Sequence, residues 1–258
     1  MHITLGRIVA VAVAAMSGIA SAATCLAADS ADQSPLVTGE TPAWSFEVTP
    51  YAWLPGIKGD ITARDHTVSV DQSFSDIFKA VEFAGAVLAL ARYERWIVWT
   101  QVDFERLSTS KLENAPPRAR VDAKMTFYTL AAGYTFDGWT DQQSFDVLIG
   151  LQGFNRDNTL SLNTIGNFSQ SRNTVDATVI VRPSIRISQR WLFNPTAAVG
   201  AGGSKYFYQL QPQFQYLFSK TWEVRFGYRR MHYTIDSDRG ARYDANLSGP
   251  LVGFGATF

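Results

Sequence analysis

The stretch Tyr206–Phe218 constrains the fold more than any other part of the chain. Tyr206, Tyr208, Leu210, Pro212, Phe214, Tyr216 and Phe218 fall on one parity, and Gln209, Gln211, Gln213 and Gln215 fall on the other. A period of two is that of a β-strand with one apolar face and one face that needs water or polar partners. The same pattern recurs over Trp44–Leu54, Phe83–Tyr93, Trp96–Ser108, Ala123–Phe136, Ser144–Phe154, Thr174–Ile187, Trp191–Gly200, Trp222–Tyr233 and Asn246–Phe258. Most of these runs exceed the roughly five or six residues of a soluble strand and suit an oblique bilayer crossing. Pro183, Pro195 and Pro212 each remove a ladder donor and count against three of the assignments.

These segments predict an all-β chain, a transmembrane antiparallel up-and-down barrel of about ten strands, with eight to twelve compatible with the pattern. The aromatic share of 13% supports this, because lipid-facing and lumen-facing residues alternate while rings collect at the two interfaces. Beyond the first residues no run of about eighteen apolar side chains occurs, so crossing by a helix is not expected. Lys and Arg number 23 against 23 Asp and Glu, without charge runs, which gives no footprint for nucleic acid.

The connections sort by length. Glu94-Arg95, Asp137–Gln143, Ser188–Arg190 and Ser219–Thr221 are tight, whereas Pro55–Glu82, Thr109–Asp122, Asn155–Asn173 and Thr234–Ala245 read as long loops. Periplasmic turns against extracellular loops would have this asymmetry, and only Ala201–Lys205 departs from it. Trp44, Trp96, Trp191 and Trp222 begin strands at the short-turn end, and Tyr93, Phe136, Phe218 and Phe258 end strands there. Together they form an expected aromatic girdle at one interface.

The opposite parity collects charge. Glu47, Asp103, Glu105, Asp146, Asp176 and Glu223 are expected to face inward with Arg92, Arg182, Arg186, Arg225 and Arg229. A lipid-facing Arg or Lys near the midplane costs about 2 to 4 kcal/mol, so the lumen is the favourable place for them. Such a set either pairs into a rigid network or lines a narrow polar pore for an ion or small polar solute.

Residues 1–23 read as a signal peptide: a weakly basic start with His2 and Arg7, an apolar core over Ile8–Ile19, and small residues allowing cleavage after Ala22 or Ala23, with Ala27 a further option. Residues 24–43 read as a flexible periplasmic lead-in and 44–258 as the barrel. The single cysteine, Cys25, offers no disulfide framework.

The last strand, Ser248–Phe258, places Val252, Phe254, Ala256 and Phe258 outward and ends on an aromatic ring. This resembles the C-terminal signal of outer-membrane proteins, which implies the barrel-assembly machinery as a partner. With Tyr51-Ala-Trp-Leu-Pro-Gly-Ile-Lys-Gly59, and Gly227-Tyr-Arg-Arg230 ahead of Gly249-Pro250, the chain resembles small bacterial outer-membrane β-barrel proteins of porin-like type. The resemblance implies an exported protein held in outer-membrane lipid. It speaks to the fold rather than to an activity.

Three further constellations can be weighed. Ser73-Phe-Ser-Asp76, followed by Ile77, Phe78 and Val81, has the form of a capped amphipathic helix. Asp236-Ser-Asp238-Arg-Gly240 imitates a calcium loop, but Leu247 stands where the closing Glu belongs. Gly200-Ala-Gly-Gly203 reads as a hairpin turn rather than a phosphate cradle. No cofactor or metal is expected and no catalytic residue is assigned. An outer-membrane hydrolase would have to use His232 with Asp236 or Asp238, and a surface-binding barrel would use its outer loops.

Overall fold

The computed structural model describes residues 44–63, 66–72, 81–108, 119–162, 166–236 and 241–258. The leader, the capped segment after Ser73 and the turn after Asp236 lie outside them.

β1 (Trp44–Trp53) and β2 (Gly56–Ala63) run in line along β14 (Ala241–Thr257). β3 (His66–Gln72) returns on β2, and β4 (Val81–Tyr93) returns on β1. β5 (Trp96–Ser108), β6 (Ala119–Asp137), β7 (Gln143–Leu162) and β8 (Gly166–Arg186) follow as antiparallel neighbours. β9 (Trp191–Phe193) and β10 (Thr196–Gly202) share one line, as do β11 (Tyr206–Gln211) and β12 (Gln213–Leu217). β13 (Trp222–Asp236) leads back to β14, and β14 pairs with β1, so the sheet closes as an antiparallel barrel of ten strands. At the seam Phe46 and Phe258 exchange backbone hydrogen bonds of 3.0 and 2.8 Å.

The three prolines act differently. Pro183 stays inside β8, opposite Phe145, whereas Asn194-Pro195 and Pro212 interrupt the lines β9–β10 and β11–β12 without ending them. Pro212 faces outward, and its carbonyl still accepts from Tyr228 N at 3.0 Å. The missing donor therefore costs one rung and leaves the register intact.

The long loops expected on one side are largely strand instead. Pairing continues through Asn155–Leu162 against Gly166–Asn173, through Gly56–Ala63 against His66–Gln72, and to Asp236 against Arg242. The physical reason is that a hairpin projecting past the bilayer has water on its outer face. Polar residues then satisfy both parities, the alternation fades, and the sequence reads as loop although the ladder persists. At the other end the turns are tight. Glu94 takes a left-handed φ of 53° in a two-residue turn, and Gly138 N donates to Gln143 O at 2.9 Å.

The glycine-rich stretch does form a hairpin turn. Gly202, with φ 151°, occupies a conformation that side chains disfavour. Asp176 fastens this turn to β8, accepting from Ser204 N at 2.7 Å and from Ser204 Oγ at 2.8 Å.

The outer surface is apolar. Leu130, Ile149, Leu151, Val179, Val199, Phe226, Val252 and Phe254 are all exposed. Along β14, Val252 and Phe254 point out as expected, while Ala256 is buried opposite Trp222. The girdle residues lie along connected rungs: Trp44 faces Tyr93, Tyr93 faces Trp96, and Trp96 faces Tyr134. The Trp44 and Tyr93 rings stand 5.0 Å apart, Trp96 meets Tyr134 edge-on at 5.3 Å, and Phe136 stacks on Phe145 at 5.3 Å. On the far arc Trp191 packs on Tyr216 at 5.0 Å, and Trp222 and Phe218 both pack on Phe254.

Replacing Val252 by Arg puts a guanidinium on this apolar surface. The expected loss is about 2 to 4 kcal/mol if Val252 lies near the midplane. Denaturant unfolding in lipid vesicles measures it, and no loss would contradict a lipid-facing position.

Candidate functional site

Among the described residues, buried charged and aromatic side chains concentrate in the interior of the barrel. Its lower part holds two charge clusters. Arg92 and Arg182 approach Asp146 at 3.4 and 3.5 Å. Thr135 donates to Asp146 at 2.7 Å and also meets Arg92. Arg225 Nε donates to Glu223 at 2.5 Å, and Arg225 Nη2 lies 2.6 Å from Glu47 in charge contact. Gln215 donates to the second oxygen of Glu223.

A second layer spans the lumen. Arg229 on β13 donates to Asp103 on β5 at 2.9 Å, although several strands separate the two in either direction around the ring. Asp103 also accepts from Tyr51 at 2.5 Å and from Gln101 at 3.2 Å. Arg229 binds Gln209 at 3.0 Å, and Gln209, Gln211 and Gln213 continue as an amide ladder down one wall toward Gln215. The guanidinium of Arg229 also lies 4.3 Å from the Trp53 ring centre, and Arg182 lies 5.2 Å from that of Trp99. Stacking on the ring face compensates a desolvated cation in part.

An aromatic layer follows. Phe127 on β6 stacks on Phe154 at 4.5 Å and reaches Tyr233, on the diametrically opposite β13, at 6.2 Å. Phe207 stacks on Tyr233 at 5.3 Å, Trp53 meets Phe127 at 6.0 Å, and Gln152 donates to the Tyr233 hydroxyl at 2.6 Å. Next to this layer Phe154, Arg156, Arg172, Thr174 and Ile235 line a shallow recess.

Of the eleven inward charges read from the sequence, the structure brings eight into these clusters: Glu47, Arg92, Asp103, Asp146, Arg182, Glu223, Arg225 and Arg229. Three differ. Arg186 sits at the turn end and donates to the Gln189 carbonyl at 3.3 Å, and it has no ion pair among the described residues. Asp176 is spent on Ser204 rather than on an arginine. Glu105 is buried one inward step beyond Asp103, with its Oε1 unpaired.

The apolar interior residues Trp53, Trp99, Phe127, Phe207, Met231 and Tyr233 were missed by a reading that sends rings to the girdle. Parity marks them: Trp99 precedes Gln101 and Asp103 by steps of two, and Met231 and Tyr233 follow Arg229 in the same way.

His232 has no place in the lumen. It faces outward, opposite Tyr208, and lies 3.2 Å from Asn246, 3.3 Å from Tyr206 and 3.2 Å from Thr234. Its nearby carboxylate is Asp244, at 3.7 Å, while Asp238 lies outside the described residues. Asp236, the other partner that the hydrolase reading names, stands on β13 opposite Arg242, and His232 itself belongs to an outer-face cluster.

No family model matches the sequence, and no curated protein matches it. Solved structures do. The outer-membrane protease OmpT from Escherichia coli superposes with a TM-score of 0.58 at 8% identity, covering 87% of this chain and all of that one. Ail of Yersinia pestis, solved with the heparin analogue sucrose octasulfate, gives 0.39 at 11% identity, covering 84% and 100%. Neisserial surface protein A gives 0.35 at 12% identity, covering 83% and 97%.

Replacing Arg225 by Leu leaves the buried Glu223 and the half-buried Glu47 without their cation. The expected destabilisation is about 3 to 5 kcal/mol, the cost of breaking a buried pair from one side. Unfolding in lipid vesicles reads it, and a loss under about 1 kcal/mol would mean that the cluster is wet. By its closed ladder and its superposition on OmpT, the chain folds as a closed antiparallel β-barrel of ten strands with an apolar exterior.

Proposed function

We propose that the protein is an integral outer-membrane barrel whose lumen is a closed structural core rather than an open pore. The observation that carries this is the contact across the ring: Arg229 to Asp103, and Phe127 to Tyr233, join strands from opposite sides. Side chains that touch across a barrel leave no continuous water path between them. The charges are internally matched in the lower clusters, three arginines against three carboxylates, so they serve as each other's partners instead of as a selectivity ring. On this reading the leader directs export, and the strand ending at Phe258 is what the assembly machinery recognises.

Single-channel recording of the folded protein in a planar bilayer tests the proposal, with heat-modifiable gel migration confirming the folded barrel. The expected result is no unitary conductance. A combined Phe127→Ala, Tyr233→Ala and Arg229→Ala variant is expected to conduct, because it removes both cross-lumen layers. A reproducible unitary conductance of the unaltered protein would overturn the closed lumen.

A further inference from the structure

The outer face formed by β11 and β12 with β13, β14 and β2 changes character within one step of the ladder. Below the change it is continuous apolar surface: Leu210, Phe214, Phe226, Tyr228, Val252 and Phe254 are all exposed. The next outward residue of β13 is Arg230, opposite Leu210 on one side and Ser248 on the other. The rung beyond runs Tyr208, His232, Asn246, Lys58 across four strands.

Arg230 is exposed, and its partner is neutral: Nη2 donates to Asn246 Oδ1 at 3.4 Å. Among the described residues no carboxylate comes within ion-pair distance of it. The surroundings hold that geometry. The same Asn246 oxygen is 3.2 Å from His232 Nδ1, and His232 stacks on Tyr208 at 5.1 Å and bonds Tyr206 and Thr234 through its other nitrogen. Lys58, which stands beyond Asn246, is engaged with Asp71 at 3.1 Å. The guanidinium therefore carries an uncompensated charge on a fixed platform at the edge of the apolar band. An outward arginine is costly at mid-bilayer but costs about 0 to 1 kcal/mol near the interface, which is where the flanking tyrosine rings also belong.

We propose that this face binds an anionic phospholipid, with Arg230 holding the headgroup phosphate and the apolar surface below it receiving the acyl chains. A planar guanidinium matches phosphate oxygens in a two-pronged geometry. The ligand is a lipid rather than a free anion because the cation and the apolar strip are contiguous, and only an amphiphile satisfies both at once. The inference rests on the protein being embedded in a bilayer, and it is independent of whether the lumen conducts.

Native mass spectrometry of the folded, detergent-solubilised protein with added phosphatidylglycerol or phosphatidylcholine tests it. Phosphatidylglycerol is expected to be retained in preference to phosphatidylcholine. Arg230→Gln is expected to lower its retention about tenfold, the equivalent of one charge-assisted hydrogen bond. Arg190→Gln, at the opposite end of the barrel, leaves retention unchanged. If Arg230→Gln does not fold, Arg230→Lys serves in its place and is expected to keep the preference with weaker retention, since it has the charge without the fork. Equal retention of the two lipids, or an undiminished Arg230→Gln or Arg230→Lys variant, would overturn the site. Displacement of the lipid by millimolar inorganic phosphate would overturn the lipid and leave a site for a free anion.

Discussion

Everything in this structure depends on closure of the hydrogen-bonded ladder between β14 and β1. Lipid offers no partner to a backbone N–H or C=O, so an open edge inside the bilayer would cost several kcal/mol per unpaired group. The reciprocal bonds of Phe46 and Phe258, and the pairing of Glu47–Trp53 with Leu251–Thr257, remove that edge. The two ends of the barrel sequence are thereby joined. The interruption at Pro212 is tolerable for the same reason: it sacrifices one rung while its carbonyl keeps Tyr228 N as a partner.

Closure creates a second problem, which is what to do with the inside. In a ring of ten strands inward side chains are close enough to meet, and they do so through both polar and aromatic contacts. Charged groups pair near the short-turn end, rings pack further along, and arginines stacked on tryptophans join the layers. Buried ion pairs contribute little net stability, because desolvation offsets the attraction. Their effect is on register. A one-residue slip of any strand would send its arginine or carboxylate into lipid.

The strand pattern and the parity of each residue were legible because lipid imposes a strict condition on one face. Tyr206–Phe218 shows this well: its outward rings and inward glutamines lie where the alternation puts them, through a proline. Where water replaces lipid the condition relaxes. The ladder continued past Asn155 and Gly56, but the sequence there looked like loop because neither face had to be apolar.

Sequence alone determined the architecture, the outward and inward faces, and which charges could not face lipid. It did not determine partners. Arg186 and Asp176 have the same parity as Arg182 and Asp146, yet one meets a turn carbonyl and the other a serine, since height along a sheared barrel decides what stands opposite. Nor could parity reveal that the rings of Phe127 and Tyr233 meet. That contact joins strands on opposite sides of the ring, and a distance across a lumen is set only when the sheet curls and closes.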